Sequence, residues 1–259
     1  MRETAIVAWG VVRDALHRKV FYGVLAFTVI LILLVPMLPS AELGIQVDLM
    51  REAALGLASI MAFLLAAILG ATILPSEMQR RSVYNVLSRP LRRWQYYLGK
   101  YLGLLLVVAL SLLLVYVVML VLVYAKFSIL NPALAKALFT IFLEAALLGS
   151  VAMLASVRLS PLVCVFITAL FYVVGHVKGD FLYQAMNEAG NGPFIRGLAG
   201  FFYYLLPNLE RLNINETIAH GERVFRVGVG EMALLLGMTL GFTVVFLALG
   251  IRILEEKDL

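Results

Sequence analysis

Six apolar runs alternate with polar interruptions along the chain, and each is close to the roughly 20 residues a helix needs to cross a hydrocarbon core. They predict spans over 20–38, 53–74, 101–124, 132–157, 159–177 and 232–251. The fourth carries Lys136 near its start and Glu144 within. Residues 157–161 are barely a turn, and Pro161 falls where a helix begins, so the fourth and fifth spans form a tight hairpin.

The polar stretches are patterned too. Over 2–18, a helical projection gathers Arg2, Glu3, Arg13, Asp14 and His17 on one side. Ala5, Ala8, Trp9, Val11, Val12, Ala15 and Leu16 gather on the other, with Ile6 and Val7 breaking the pattern. A basic amphipathic helix with tryptophan at its apolar edge suits the lipid–water interface; a plain polar leader is the alternative. It is not the charged start of a cleavable signal, since no small-residue cleavage site follows the first apolar run. Between the second and third spans, 75–103 holds Arg80, Arg81, Arg89, Arg92, Arg93 and Lys100 against one acid, Glu77. Ser76 and Gln79 have capping-box spacing, and Arg89-Pro90 interrupts the helical pattern. The expectation is a short helix over 77–88 lying across the membrane face, then a helix from near Pro90 that turns into the bilayer. Such a loop either fixes topology alone or docks a soluble partner. Before the last span, 178–230 contains the apolar, aromatic stretch 194–206, stopped by Pro207 and too short to span. It predicts an interfacial or re-entrant helix, followed by a short amphipathic piece over 208–220, packed on the bundle as a lid because backbone at membrane depth must be shielded by protein.

Composition narrows the class. At 63% hydrophobic and 14% charged residues the chain has more apolar surface than a soluble domain could hide. The fold class is therefore all-α integral membrane, in a single domain over 1–259. The net charge of +5 is a matter of topology: thirteen of the 21 basic residues lie on the face that carries both termini, which puts the termini in the cytoplasm. Nucleic acid needs no role. Cys164 is the single cysteine, so no intramolecular disulfide forms.

Candidate chemistry is sparse. Glu144 is the one acid inside a span; at that depth it either hydrogen-bonds a neighbouring helix or lines a substrate path or subunit interface. Small residues four apart, Gly99/Gly103, Ala145/Gly149 and Gly237/Gly241, permit close helix contact within one subunit or between two. His176, Asp180, His220 and Glu222 could meet on the outer side, but without metal-motif spacing. No phosphate-binding glycine loop or nucleophile elbow is present, so the chain cannot hydrolyse ATP through a P-loop.

The sequence resembles the permease subunits of type-2 ATP-binding-cassette (ABC) transporters, the exporter-like class. The resemblance is carried by Glu77, the LSRP of 87–90, Arg93, LGK at 98–100, FYVVGH at 171–176, YLLPNLERLNINETIAHG at 204–221 and the tail EEKDL at 255–259. Arg81-Ser82 stands where many members have Gly-Thr. The resemblance implies a six-span permease with an elbow helix (2–18) and a coupling helix (77–88) that contacts an ATPase subunit through Glu77, Arg80, Arg81, Tyr84, Arg89 and Pro90. Arg92, Arg93 and Lys100 would anchor the loop or meet lipid headgroups. Glu144 and His176 are assigned to the translocation path or an interface. A second permease chain, identical or not, and membrane lipid are the other expected partners. ATP and Mg would sit on the ATPase, leaving this chain without cofactor or catalytic residue, in the inner membrane of a bacterium or archaeon. The alternatives are a non-transporting membrane scaffold and an intramembrane enzyme using Glu144 or the outer histidines.

Overall fold

A computed structural model describes residues 2–37, 43–79, 92–127, 133–188, 192–213 and 229–256. The described residues are helical, with no strand among them. In chain order the helices are α1 (Arg2–Leu16), α2 (Lys19–Leu34), α3 (Leu43–Gln79), α4 (Arg93–Phe127), α5 (Ala133–Ser156), α6 (Pro161–Val177), α7 (Tyr183–Asn187), α8 (Pro193–Leu205) and α9 (Val229–Glu255). Short 3-10 turns follow at Val35–Met37 and Glu210–Leu212, and a π turn runs over Lys178–Leu182. Five of the helices are long and apolar enough to cross a membrane, namely α2, α3, α4, α5 and α9; α6 is a shorter apolar helix of 17 residues.

The apolar runs give each helix its middle but not its ends. The second run is the centre of a 37-residue helix that begins ten residues before it and passes through Pro75 to Gln79. Pro75 lacks the N–H that would bond the Ala71 carbonyl, a loss that membrane helices tolerate. Ser76, expected as an N-cap, therefore sits inside α3. Of the helix expected over 77–88, residues 77–79 are the last of α3, and the remainder lies outside the described residues.

The core is α5, pressed between α3, α4, α6 and α9. Its apolar window is 83% buried, against 22% for those of α2 and α9, so α2 and α9 are peripheral and present apolar flanks to lipid. A cleft of about 220 Å³ lined by Gly23, Phe27, Leu31, Ile60 and Leu64 separates α2 from α3. Lipid tails are as apolar as leucine, so close backbone approach rather than exclusion of water favours the bundle. A Cβ on Gly70 of α3 would stand 2.6 Å from that of Ala152 on α5, and one on Gly149 would stand 2.9 Å from a Leu104 methyl on α4. Helix α1 lies along α4 in the same manner: a Cβ on Gly99 would be 2.9 Å from that of Val7, and one on Gly103 would be 2.5 Å from that of Val11. Two of the three small-residue pairs thus serve packing within the chain. Gly237 and Gly241 face open space.

Opposite the basic loop, at what the charge count makes the outer end, α7 and α8 pack together. Arg196 donates to the Glu188 carbonyl from Nη2 (2.7 Å) and Nε (3.0 Å). Helix α8 stops two residues before Pro207 and leaves Phe194, Ile195, Leu198 and Phe201 exposed. The segment after it turns inward and buries Leu209 and Leu212 completely.

Filling the α1–α4 contact is expected to cost about 1–3 kcal/mol, the usual range for overpacking. Gly103→Val should lower the melting temperature in detergent, read by a thiol-reactive fluorophore on the buried Cys164, while Gly237→Val leaves it unchanged.

Candidate functional site

Two polar regions stand out from the apolar bundle, one at each end. At the inner end, α3 and α4 bracket the basic loop. Arg80, Arg81, Tyr84, Arg89 and Pro90 lie outside the described residues; Glu77 is placed by its backbone alone, two residues from the end of α3. Arg92 is exposed, with its backbone N–H donating to the Gln95 side-chain oxygen as a helix-start cap. Arg93 turns inward, where Nη1 donates to the carbonyls of Leu254 (3.2 Å) and Glu255 (3.0 Å) at the end of α9. Lys100 is only 5% exposed, with its ammonium 5.5 Å from the centre of the Tyr96 ring. It borders a small cavity among α1, α3 and α4 together with Asp14 and Arg18. Arg18, at the α1–α2 junction, donates to the Thr72 hydroxyl on α3 (2.7 Å). Of the three basic residues expected to anchor the loop or meet headgroups, Arg92 is exposed, whereas Arg93 and Lys100 are held against this chain's own helices.

The second region lies on α5 and α6. Glu144 is 3% exposed, and its Oε1 comes within 3.4 Å of His176 Nε2 without an aligned hydrogen bond. The other ring nitrogen, Nδ1, meets the Tyr172 carbonyl one turn back, 3.0 Å away. With Nδ1–H donating there, Nε2 presents either a lone pair or a second proton to Glu144. An acid is costly at this depth, and the His176 ring is the polar group that faces it. Around the pair, the Tyr172 ring stacks on Phe63 of α3 (centroids 4.6 Å apart, 30° between planes) and tilts against the His176 ring at 4.4 Å. The Tyr172 hydroxyl meets the Ser59 side chain. The sequence reading gave Glu144 and His176 the same role without pairing them, and it missed Tyr172, Phe63 and Ser59. Helical spacing could have found them, since Tyr172/His176 and Ser59/Phe63 are each four apart.

The turn of α6 that carries His176 also holds the 206–212 segment. Leu209 N–H donates to the Gly175 carbonyl (3.1 Å), and a Cβ on Gly175 would stand 2.5 Å from a Leu209 methyl, so a residue without a side chain is needed there. The Lys178 ammonium bonds the Leu206 carbonyl and lies 4.9 Å from the centre of the Tyr203 ring. Burial lowers the Lys178 pKa below the usual lysine range, and the nearby Arg211 charge lowers it further. Among the described residues, no group of three His, Cys, Asp or Glu side chains could hold a metal ion.

The described residues form an all-α membrane body of long apolar helices with a buried acid–imidazole pair. Residues 5–259 match the family model of the ABC-2 family of transporter proteins, so the chain belongs to that family. Its members are the membrane-embedded subunits of ABC transporters, which work with an ATP-binding subunit. Comparison with curated proteins gives no match.

A double-mutant cycle of Glu144→Leu and His176→Leu on denaturant stability should give a coupling energy of about 0.5–3 kcal/mol for the 3.4 Å contact. A value of zero would make the two groups mere neighbours. The lowered Lys178 pKa has its own signature. Over the range where the folded chain has released that proton and the unfolded chain has not, the unfolded state binds more protons and stability rises with pH. As pH rises toward the ordinary lysine pKa of about 10.4, melting temperatures of the wild type should therefore gain on those of Lys178→Met.

Proposed function

We propose that this chain is the permease subunit of an ABC exporter, with six spans made by α2 to α6 and α9, α1 as its elbow helix and the 77–88 region as its coupling element. Both termini lie in the cytoplasm of a bacterial or archaeal inner membrane. Two permease chains pair in the membrane, and an ATPase subunit, carrying ATP and Mg, docks on the basic loop of each. The observation that carries this reading is the family match over nearly the whole chain. The fold supports it: α3 continues past its apolar window and α4 begins at Arg93, so two long helices rise from the ends of one basic loop. A helix lodged in a partner's groove can pass ATP-driven closure to both as a push. ATP then favours the access state that the docked loop fits better. Glu77, Arg80, Arg81, Tyr84, Arg89 and Pro90 make that contact. Glu144 and His176 line the translocation path, where their facing polar atoms offer a hydrogen-bonding site within an otherwise apolar bundle.

The test is co-purification with the ATP-binding subunit. Glu77→Ala with Arg81→Ala is expected to weaken the complex by at least about tenfold, the order of one or two lost charged contacts, and to abolish ATPase activity that depends on the permease. Unchanged complex formation and unchanged activity would remove the docking assignment. Absence of any ATP-binding partner would favour the scaffold alternative instead.

A further inference from the structure

The loop 80–91 leads directly into Arg92 and Arg93, so a force on the loop reaches the first turn of α4 before any other part of the bundle beyond α3. That turn is fastened to the far end of the chain. The last carbonyls of a helix have no partner within it and carry its negative partial charge. At the end of α9 two of them, Leu254 and Glu255, accept from the Arg93 guanidinium. One turn further along α4, Tyr97 is fully buried, and its ring occupies the place a side chain would need at Gly250 of α9. The match is steric as well as ionic: a Cβ on Gly250 would meet the Tyr97 hydroxyl and stand 2.6 Å from the ring carbon that bears it. Helix α9 is peripheral, with 22% of its apolar window buried, and it runs unbroken for 27 residues, or about 40 Å. Its other end begins at Val229.

Resting on the coupling reading above, we infer that Arg93 is a relay: it carries displacement of the coupling loop from α4 into α9, so that the last span moves with the third and delivers the stroke to the outer end. Arg93 is a positioning residue here. It acts through the α9 carbonyls, and Tyr97 against Gly250 keeps the two helices from sliding past each other. Beyond this bolt, α9 is held by its packing on α5, by the Phe246 ring against Phe171 of α6 and by Thr243 against Tyr101 deeper along α4, none of them in the turn that adjoins the loop.

The experiment uses the complex with its ATP-binding subunit, reconstituted in lipid, in a Cys164→Ser background. Bimane is attached either at Tyr124→Cys, on the outer part of α4, or at Leu234→Cys, on the outer part of α9, both exposed positions. The emission shift between nucleotide-free and ATP–vanadate states is read at each. With Arg93 intact both sites shift. In Arg93→Gln the shift at 234 is expected to fall at least about fivefold, within the range by which residues between two sites alter their coupling, while the shift at 124 persists; Arg93→Lys restores much of it. Gly250→Ala displaces the Tyr97 ring with Arg93 in place and should give the same selective loss, which serves if Arg93→Gln does not assemble. A full shift at 234 in either variant overturns the relay. Equal loss at both sites overturns it too, because Arg93 would then act on loop docking. No shift at either site in the unsubstituted complex overturns the coupling reading and the relay with it.

Discussion

Close approach of backbones at the crossing of α3 and α5 is the contact on which the rest of the bundle is arranged. Gly70, Ala66, Gly149 and Ala152 meet there, with Leu104 of α4 closing the third side. In lipid, little is gained by hiding a leucine, so the helices are held by dispersion contacts that fall off steeply with separation. Small residues are thus concentrated where three helices cross, and large side chains fill the space above and below. Met61, Leu65, Leu147, Leu148 and Met153 are fully buried around this point. Because α5 is enclosed by α3, α4, α6 and α9, any motion of one peripheral helix must either slide over α5 or carry α5 with it.

The bundle's polar inventory explains why a single acid matters. Ser111, Thr140, Ser150, Ser156, Thr168 and Thr239 each return their hydroxyl to a carbonyl three or four residues back on their own helix. They satisfy themselves and pull on nothing else. Tyr101 reaches across to the Ala146 carbonyl (2.8 Å), close in sequence to Glu144 but on another helix's account. Glu144 has no such local escape, since its carboxyl extends past its own helix and its Oε1 is unsatisfied apart from the approach of His176. The pair therefore ties α5 to α6 by a group that is costly to separate in lipid, and the aromatic stack of Tyr172 on Phe63 extends that tie to α3.

How much of this was legible in the sequence depends on what the bilayer dictates. Length and apolarity alone locate the helix centres: among the described residues, the middle of each of the six apolar runs lies in a helix. Helix ends are set by other forces: α3 passes through Pro75 because the preceding turns are held by packing, whereas the sequence signal of Ser76 and Gln79 is a local one that such packing overrides. The 2–18 helix was readable from its two faces, but not its seat, because Val7 and Val11 fit α4 only where Gly99 and Gly103 lack side chains. Arg93 was visible as a charge in a basic loop; that its guanidinium meets carbonyls 161 and 162 residues away is a matter of tertiary geometry with no local trace. The same holds for Glu144 and His176, which stand 32 residues apart but are brought together by the tight 157–160 turn, itself predicted from Pro161.

The two ends of the bundle are fastened by different means, and that difference has a mechanical sense. The inner end is bolted: Arg18 to Thr72, α1 in the α4 glycine groove, and Arg93 and Tyr97 against α9 bring α1, α3, α4 and α9 to one plate around the basic loop. At the other end, the described contacts include the backbone bond from Leu209 to Gly175 and the Lys178 ammonium on the Leu206 carbonyl. The last turn of α6 carries both His176, which faces Glu144, and the Gly175 carbonyl that seats Leu209, so the outer segment and the buried pair share one piece of backbone.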